Sequence, residues 1–364
     1  MNMKKSLIAL AVAGAFVAPV AMAETTIYGK MHVSFDRADD GVAVGAAKTN
    51  ELTSNESNLG FKGAEDLGGG MSAIWQIESE ISADDSGIDT DSDGVDDTNN
   101  GLATRNTFIG LKSDSMGTVL VGNYDSPYKS ATRGLDVFAT TAADNRGGLG
   151  LKGMGFGHDA RASNTLNYRS PDMGGLSVAV ATVFGAETAA NGDAKGSATS
   201  LAAMYTMDNI YATLAIQNAK AGDNGSGDLA ADGKLFGKLV AAAAVGDKAS
   251  ATKLGVGYTM DAIALNLVYE MLSYKAAGGE AENTNIYLAG KYNLDSSNAV
   301  KLAYTTVGDT KDAITDDGNT QISIGYDHSM SKNTTVYALY SQADENVDNG
   351  DSPTVLSFGL KHSF

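Results

Sequence analysis

The sequence predicts an all-β protein: a transmembrane, antiparallel, up-and-down β-barrel of about sixteen strands. Three observations predict it. Side chains alternate with a period of two, not the 3.6 of a helix, through almost the whole chain. The connections alternate between tight turns and long polar stretches, as in a meander closed on itself. After residue 23 no segment approaches the roughly 20 apolar residues of a spanning helix. A sheet that spans a bilayer must close, because an open edge leaves unpaired backbone groups in hydrocarbon.

The N-terminus reads as an export signal. Lys4 and Lys5 precede an apolar or small run over 6–19, and Ala21-Met22-Ala23 supplies a small-x-small cleavage pattern. The run is too short for a membrane anchor and no stop-transfer charges follow it. Removing these 23 residues and their two lysines from a 364-residue chain of net charge −18 leaves 341 residues and −20.

The first strand follows at once. Ile27, Gly29, Met31, Val33 and Phe35 alternate with Tyr28, Lys30, His32, Ser34 and Asp36. Comparable segments run over 59–65, 71–83, 105–112, 118–124, 161–169, 176–186, 200–206 and 210–217. They continue over 253–258, 263–274, 285–292, 299–306, 321–326 and 335–342. In the last strand Leu356, Phe358, Leu360, His362 and Phe364 alternate with Val355, Ser357, Gly359, Lys361 and Ser363. Tight turns rich in Gly, Asp and Pro lie at 66–70, 114–117, 171–175, 207–209, 260–262, 295–297 and 330–333. The longer connections are 84–100, 126–160, 219–250 and 344–352. Tyr205-Thr206-Met207-Asp208 recurs as Tyr258-Thr259-Met260-Asp261, and more loosely at Tyr292 and Tyr326. Each repeat sets a Tyr where a strand runs into a tight turn, the place of an aromatic girdle.

Composition narrows the function. The acidic balance argues against nucleic acid, whose phosphates require clustered Lys and Arg. With no Cys there is no disulfide or thiolate metal site, and His32, His158, His328 and His362 lie too far apart for a zinc motif. The mean hydropathy of −0.13 fits apolar residues spread over one face of a closed sheet.

Several motifs together resemble the Gram-negative general diffusion porins. They are Ile27-Tyr28-Gly29-Lys30, the run from Asn58 to Gly68 (NLGFKGAEDLG), Ala73-Ile74-Trp75-Gln76-Ile77-Glu78, Phe108-Ile109-Gly110-Leu111-Lys112 and the terminal Leu356-to-Phe364 segment. The resemblance covers essentially the whole mature chain, with the motifs in the family's order. It implies a homotrimer in the outer membrane, a passive channel for small hydrophilic solutes, no catalysis and no required cofactor. It also implies that Phe364 is the terminal aromatic read by the barrel-insertion machinery.

Within that resemblance, the loop after the fifth strand, residues 126–160, folds into the lumen and constricts it. It carries Asp136 and Asp144 beside Lys129, Arg133 and Arg146. Opposite it the family places basic wall residues, which Lys30 and Arg161 match. Asn58 and Asn123 stand where the family has Arg, and Lys62, on the face of Asn58, offsets part of that loss. Two missing wall cations in a chain of net charge −20 predict a weak to moderate preference for cations. The other reading is a substrate-selective channel for a sugar, phosphate or organic acid. An outer-membrane hydrolase would need a Ser or acid paired with His, and the His residues near strands lie far apart; a purely adhesive role is separated by conductance.

The segment 89–97 has the Asp-x-Asp-x-Asp-Gly order of a calcium loop. Asp89, Asp91, Asp93, the Val95 carbonyl and Asp97 would be its oxygen donors, and calcium there would brace the trimer. The closing bidentate Glu is absent, Asn100 standing in its place, and a solvated acidic loop is the other reading. Gly148-Leu149-Gly150-Leu151-Lys152-Gly153 imitates a nucleotide fingerprint, but it follows a loop instead of a strand.

Overall fold

The computed structural model describes residues 24–39, 41, 48–84, 102–146, 159, 161–184, 196–220, 246–276, 279–309, 311, 318–345 and 352–364. The signal segment 1–23 and the aspartate-rich 89–97 lie outside the described residues. Among those described, no helix is long and apolar enough to cross a membrane.

The strands follow the chain as β1 (Glu24–Asp39), β2 (Lys48–Ser54), β3 (Asn58–Gly68), β4 (Met71–Glu80), β5 (Thr107–Ser113) and β6 (Gly117–Asp125). One short helix, α1 (Pro127–Arg133), opens the next connection. Then come β7 (Arg161–Arg169), β8 (Leu176–Phe184), β9 (Ser197–Met207), β10 (Ile210–Lys220), β11 (Lys248–Met260) and β12 (Ile263–Ala276). The wall finishes with β13 (Gly279–Asn293), β14 (Asn298–Val307), β15 (Asn319–Ser329), β16 (Thr334–Glu345) and β17 (Thr354–Ser363).

Consecutive strands pair antiparallel, except that β2 and β3 both pair with β1, and β17 returns to pair with β1 from Lys30↔Ser363 to Asp39↔Thr354. The sheet therefore has no open edge. β2 and β3 both lie along β1, so they are two halves of one wall strand and the barrel has sixteen. The interruption at 55–57 reverses which residues face out. Phe35 opposes Leu52 on β2, whereas Ile27 opposes Phe61 on β3. Glu56 sits there with φ of 56°, a left-handed conformation that makes this a wide irregularity in the wall. The sequence expectation missed β2 because Lys48-Thr49-Asn50-Glu51-Leu52-Thr53-Ser54 has no apolar alternation.

The tight connections 69–70, 114–116, 208–209 and 261–262 share one end of the barrel, which is the periplasmic end by the usual rule. Asp208 and Asp261 hold φ near 50° in two-residue hairpins, where an Asx side chain tolerates the left-handed region. The outward face is apolar and bare: Ile109, Leu288, Leu302 and Ile324 are each more than half exposed. In water such a surface would aggregate; in a bilayer it is the solvated face. Tyr258, Tyr292 and Tyr326 also point outward, at the tight-turn end. Phe364 exchanges two backbone hydrogen bonds of 3.0 Å with Gly29, and its ring covers the space a side chain at 29 would need.

Candidate channel constriction

The connection after β6 turns inward. Ser126 caps α1, its Oγ accepting the Lys129 N–H at 3.1 Å, and Pro127 opens the first turn with its preset φ. The helix packs on the inward faces of β9, β10 and β11. Tyr128, fully buried, donates to Glu270 of β12 at 2.6 Å and receives Lys253 of β11 over its ring at 4.2 Å. Lys253 also bonds Asp159, at the far root of the same connection, and lies 3.5 Å from Glu270. Asn285 of β13 donates to the second Glu270 oxygen at 2.8 Å. One buried ionic cluster therefore joins both roots of the loop to three wall strands.

Beyond α1 the chain is keyed into notches left by glycine. A side chain at Gly255 or Gly257 would come within 3.0 Å of Leu135, and one at Gly325 within 2.8 Å of Phe138. The Phe138 ring is fully buried beneath Lys301, whose Nζ lies 4.8 Å from its centroid and 2.8 Å from Asp327. Further on, Thr140 reaches His32 of β1 at 3.4 Å, and His32 bonds the Tyr337 hydroxyl at 2.9 Å. The loop thus tracks the inner wall from β9 round to β1.

The sequence placed Asp136 and Asp144 as carboxylates lining the opening. Both are instead buried, each 7% exposed, and they hold the loop to itself. Asp136 accepts from Arg133, from the Phe138 and Asn145 N–H groups and from the Tyr287 hydroxyl. Asp144 accepts from Arg133 at 2.7 Å, from Thr140 N–H at 2.7 Å and from Arg146. Burial alone would raise the Asp144 carboxyl, but Arg133 and Arg146 hold it well below the ordinary carboxylate range. Burial, with the Asp144 charge beside it, pushes Asp136 up to about 6.

The loop joins the opposite wall through an unbroken chain of charges. Arg146 reaches Glu56 at 3.1 Å, and Glu56 reaches Arg105 at 3.2 Å. Arg105 in turn holds Glu78 at 2.9 Å and Glu80 at 3.1 Å. The alternation opens a strand at Arg105, on the face of Ile109 and Leu111, whereas β5 begins at Thr107 and leaves Arg105 free to turn to the carboxylates; Glu56 has no signal, since it sits in the break between β2 and β3. Asn58 faces inward opposite Lys30, and Lys62 faces inward opposite Thr26, 4.9 Å from the Tyr28 ring. Asn123 lies at a register shift of β6 and donates to the Arg105 carbonyl at 3.0 Å. Arg161 lies 3.3 Å from Asp125, which also holds Lys129 at 2.7 Å. The candidate calcium donors Asp89, Asp91, Asp93, Val95 and Asp97 lie outside the described residues.

Comparisons with known proteins agree with this geometry. The family model described as Gram-negative porin matches residues 9–349. The outer membrane porin protein 32 of Delftia acidovorans is 28% identical, with 100% of both chains covered. The major outer membrane protein P.IB of Neisseria lactamica is 27% identical over the same full coverage. Among solved structures, an anion-selective porin from Comamonas acidovorans superposes with a TM-score of 0.75 at 21% identity, covering 94% of this chain and all of that one. A trimer form of OmpT from Vibrio cholerae gives 0.66 at 14% identity, covering 94% and 99%.

Proposed function

The chain belongs to the Gram-negative porin family of outer-membrane channels, and on that premise we propose that it passes small hydrophilic solutes passively with a preference for anions. Family members of this kind are passive channels, not enzymes. The observation that carries the anion preference is the charge left uncommitted on the inner wall. In its tight-turn half, Lys30, Lys62, Lys112, Arg169, Lys291 and Lys361 face inward by register, with no ion pair among the described residues. The carboxylates of the constriction are each held by a cation: Glu56, Glu78 and Glu80 by Arg105, Asp125 by Lys129, Asp136 and Asp144 by Arg133.

This reverses the preference for cations drawn from the net charge. Seven of the aspartates behind that charge lie between residues 84 and 97, and six of them fall outside the described residues. Arg105 and Arg146 bring guanidinium groups to the constriction from elsewhere in the chain, but both are paired with carboxylates, so the uncommitted charge is that of the wall cations. Field inside a narrow aqueous path depends on the nearest fixed charges more than on the total. The channel is tested by conductance in planar bilayers, and its preference by the sign of the reversal potential in a salt gradient.

The same site gives a pH dependence. Above about pH 6 Asp136 is ionised and offsets Arg133; as pH falls through that value it takes a proton and the offset is lost. Anion preference is expected to rise as pH drops from 7 to 5. Asp136→Asn should show the low-pH preference at pH 7 and no step near 6; a step that persists in the variant assigns the titration elsewhere.

A homotrimer is the proposed assembly, supported by the trimeric form of the Vibrio neighbour. Phe364, half exposed on the outward face, is the proposed mark for barrel insertion. For 89–97 the proposal is calcium bracing, read as a chelator-dependent fall in trimer melting that Asp91→Ala with Asp93→Ala abolishes.

A further inference from the structure

Asp36 of β1 faces inward near the long-connection end of the strand and is 4% exposed. Ser34 donates to one of its oxygens at 3.0 Å and itself receives Asn55 at 2.8 Å. The other oxygen, Oδ1, has no hydrogen-bond partner, and Asp36 has no ion pair among the described residues. Two more oxygens beside it are in the same condition. Ser357 of β17 stands directly opposite Asp36, fully buried, and its Oγ is unpartnered. Thr53 of β2 lies one inward position away, opposite Ser34, with its Oγ1 unpartnered. Glu51 of β2 opposes Asp36 from the other side, exposed and likewise without an ion pair among the described residues.

A buried carboxylate is unfavourable without a partner, and two acids directly opposed on neighbouring strands repel. Asp36 and Ser357 share a row yet do not bond each other, so a proton between them does not close the gap. Directly opposed side chains have Cβ atoms about 4.5–5.5 Å apart, a gap that an ion about 2.3–2.6 Å from each oxygen bridges. The donors are all hard oxygens, and the two carboxylates sum to the charge of one divalent ion. Such a set suits calcium rather than zinc or copper, which favour nitrogen and sulfur. Magnesium demands a near-ideal octahedron, whereas calcium tolerates the irregular spacing of side chains on three strands.

We propose that Asp36, Glu51, Thr53 and Ser357 bind a calcium ion where the first and last strands of the barrel meet, with water completing its shell. Glu51 is the entry side, since it is the exposed member of the set. The ion joins β1, β2 and β17. Of these β2 gains most, because among the described strands it pairs with β1 alone. With two carboxylates the affinity falls in the range of extracellular calcium sites, about 10⁻⁴–10⁻³ M. The site is separate in sequence from the aspartates of 89–97.

Hydrogen exchange of the backbone amides of 48–54, followed by mass spectrometry on the full-length barrel in neutral detergent, reads the site locally. Asp91→Ala with Asp93→Ala, present in every sample, removes the other candidate calcium segment. Calcium chloride at about 5 mM should slow exchange in β2 by about fivefold to fiftyfold, the factor its affinity range implies. Sodium chloride at the same ionic strength should leave it unchanged. Asp36→Asn keeps the shape of the side chain and should abolish the slowing, and Ser357→Ala should weaken it several-fold. Single-channel conductance certifies that the Asn variant is folded; if it is not, Glu51→Gln at its exposed position carries the same test. No slowing by calcium, equal slowing by sodium, or slowing that survives intact in the folded carboxamide variant overturns the proposal.

Discussion

Lys253→Met is expected to unfasten the inner loop more than any other single change. It leaves Glu270 and Asp159 facing each other in a buried cluster without their cation. Removing one partner of a buried ion pair costs about 3–5 kcal/mol, because the remaining charge stays desolvated and unopposed. The cluster joins both roots of the loop to β11, β12 and β13, so the loss falls on the loop's attachment while the wall keeps its ladder hydrogen bonds. The expected readout is a barrel that still resists denaturant but carries a noisy current, with frequent partial closures at moderate voltage. Lys253→Met with Glu270→Gln should recover part of the loss, since one of the two stranded charges is then gone. A quiet current in the single variant would contradict this account of the anchor.

The second large effect concerns the glycine notches. Gly325→Val places a branched side chain where the Phe138 ring now lies and pushes the loop off the wall into the bore. Overpacking of this kind costs about 1–3 kcal/mol, but the conductance change should be the larger signal. Single-channel conductance is expected to fall well below wild type. Phe138→Ala works in the opposite sense. It removes a fully buried ring at a cost of about 3–5 kcal/mol and frees the loop, giving a wider, less steady distribution of conductance levels. Combining Phe138→Ala with Gly325→Val should return the mean current toward wild type, because the new side chain occupies the vacated space. Strict additivity of the two changes would argue that they do not share a contact.

The fold was legible in the sequence because a barrel wall writes its geometry directly into alternation. Ile27 to Phe35 and Leu356 to Phe364 announce strands, and the tight turns at 208–209 and 261–262 announce hairpins. The upper half of the second strand was not legible, because both faces of Lys48–Ser54 are polar and the break at Glu56 interrupts the period. The constriction was legible only in outline. Alternation assigns Lys30, Asn58 and Lys62 to the inner face, but it says nothing about a loop residue. Asp136 and Asp144 therefore read as lining the opening, although the loop folds them against Arg133. Arg105 lies just outside a strand, and only the three-dimensional path of the wall brings it to Glu56 and Glu78. The glycines at 255, 257 and 325 read as ordinary strand glycines until Leu135 and Phe138 are found seated over them. Net charge is a weak guide for a related reason: a sum over the sequence carries no position, and the field in a bore depends on position.

On the proposed function, uncommitted lysines on the inner wall, and not the acidic total, set the field in the bore. The zero-current potential across a planar bilayer in a potassium chloride gradient reads that field. Wild type is expected to take the sign of the chloride equilibrium potential. Lys30→Gln/Lys62→Gln/Lys361→Gln should move the potential toward zero or past it while the channel stays open. A wild-type potential with the sign of potassium, or a variant indistinguishable from wild type, would contradict it.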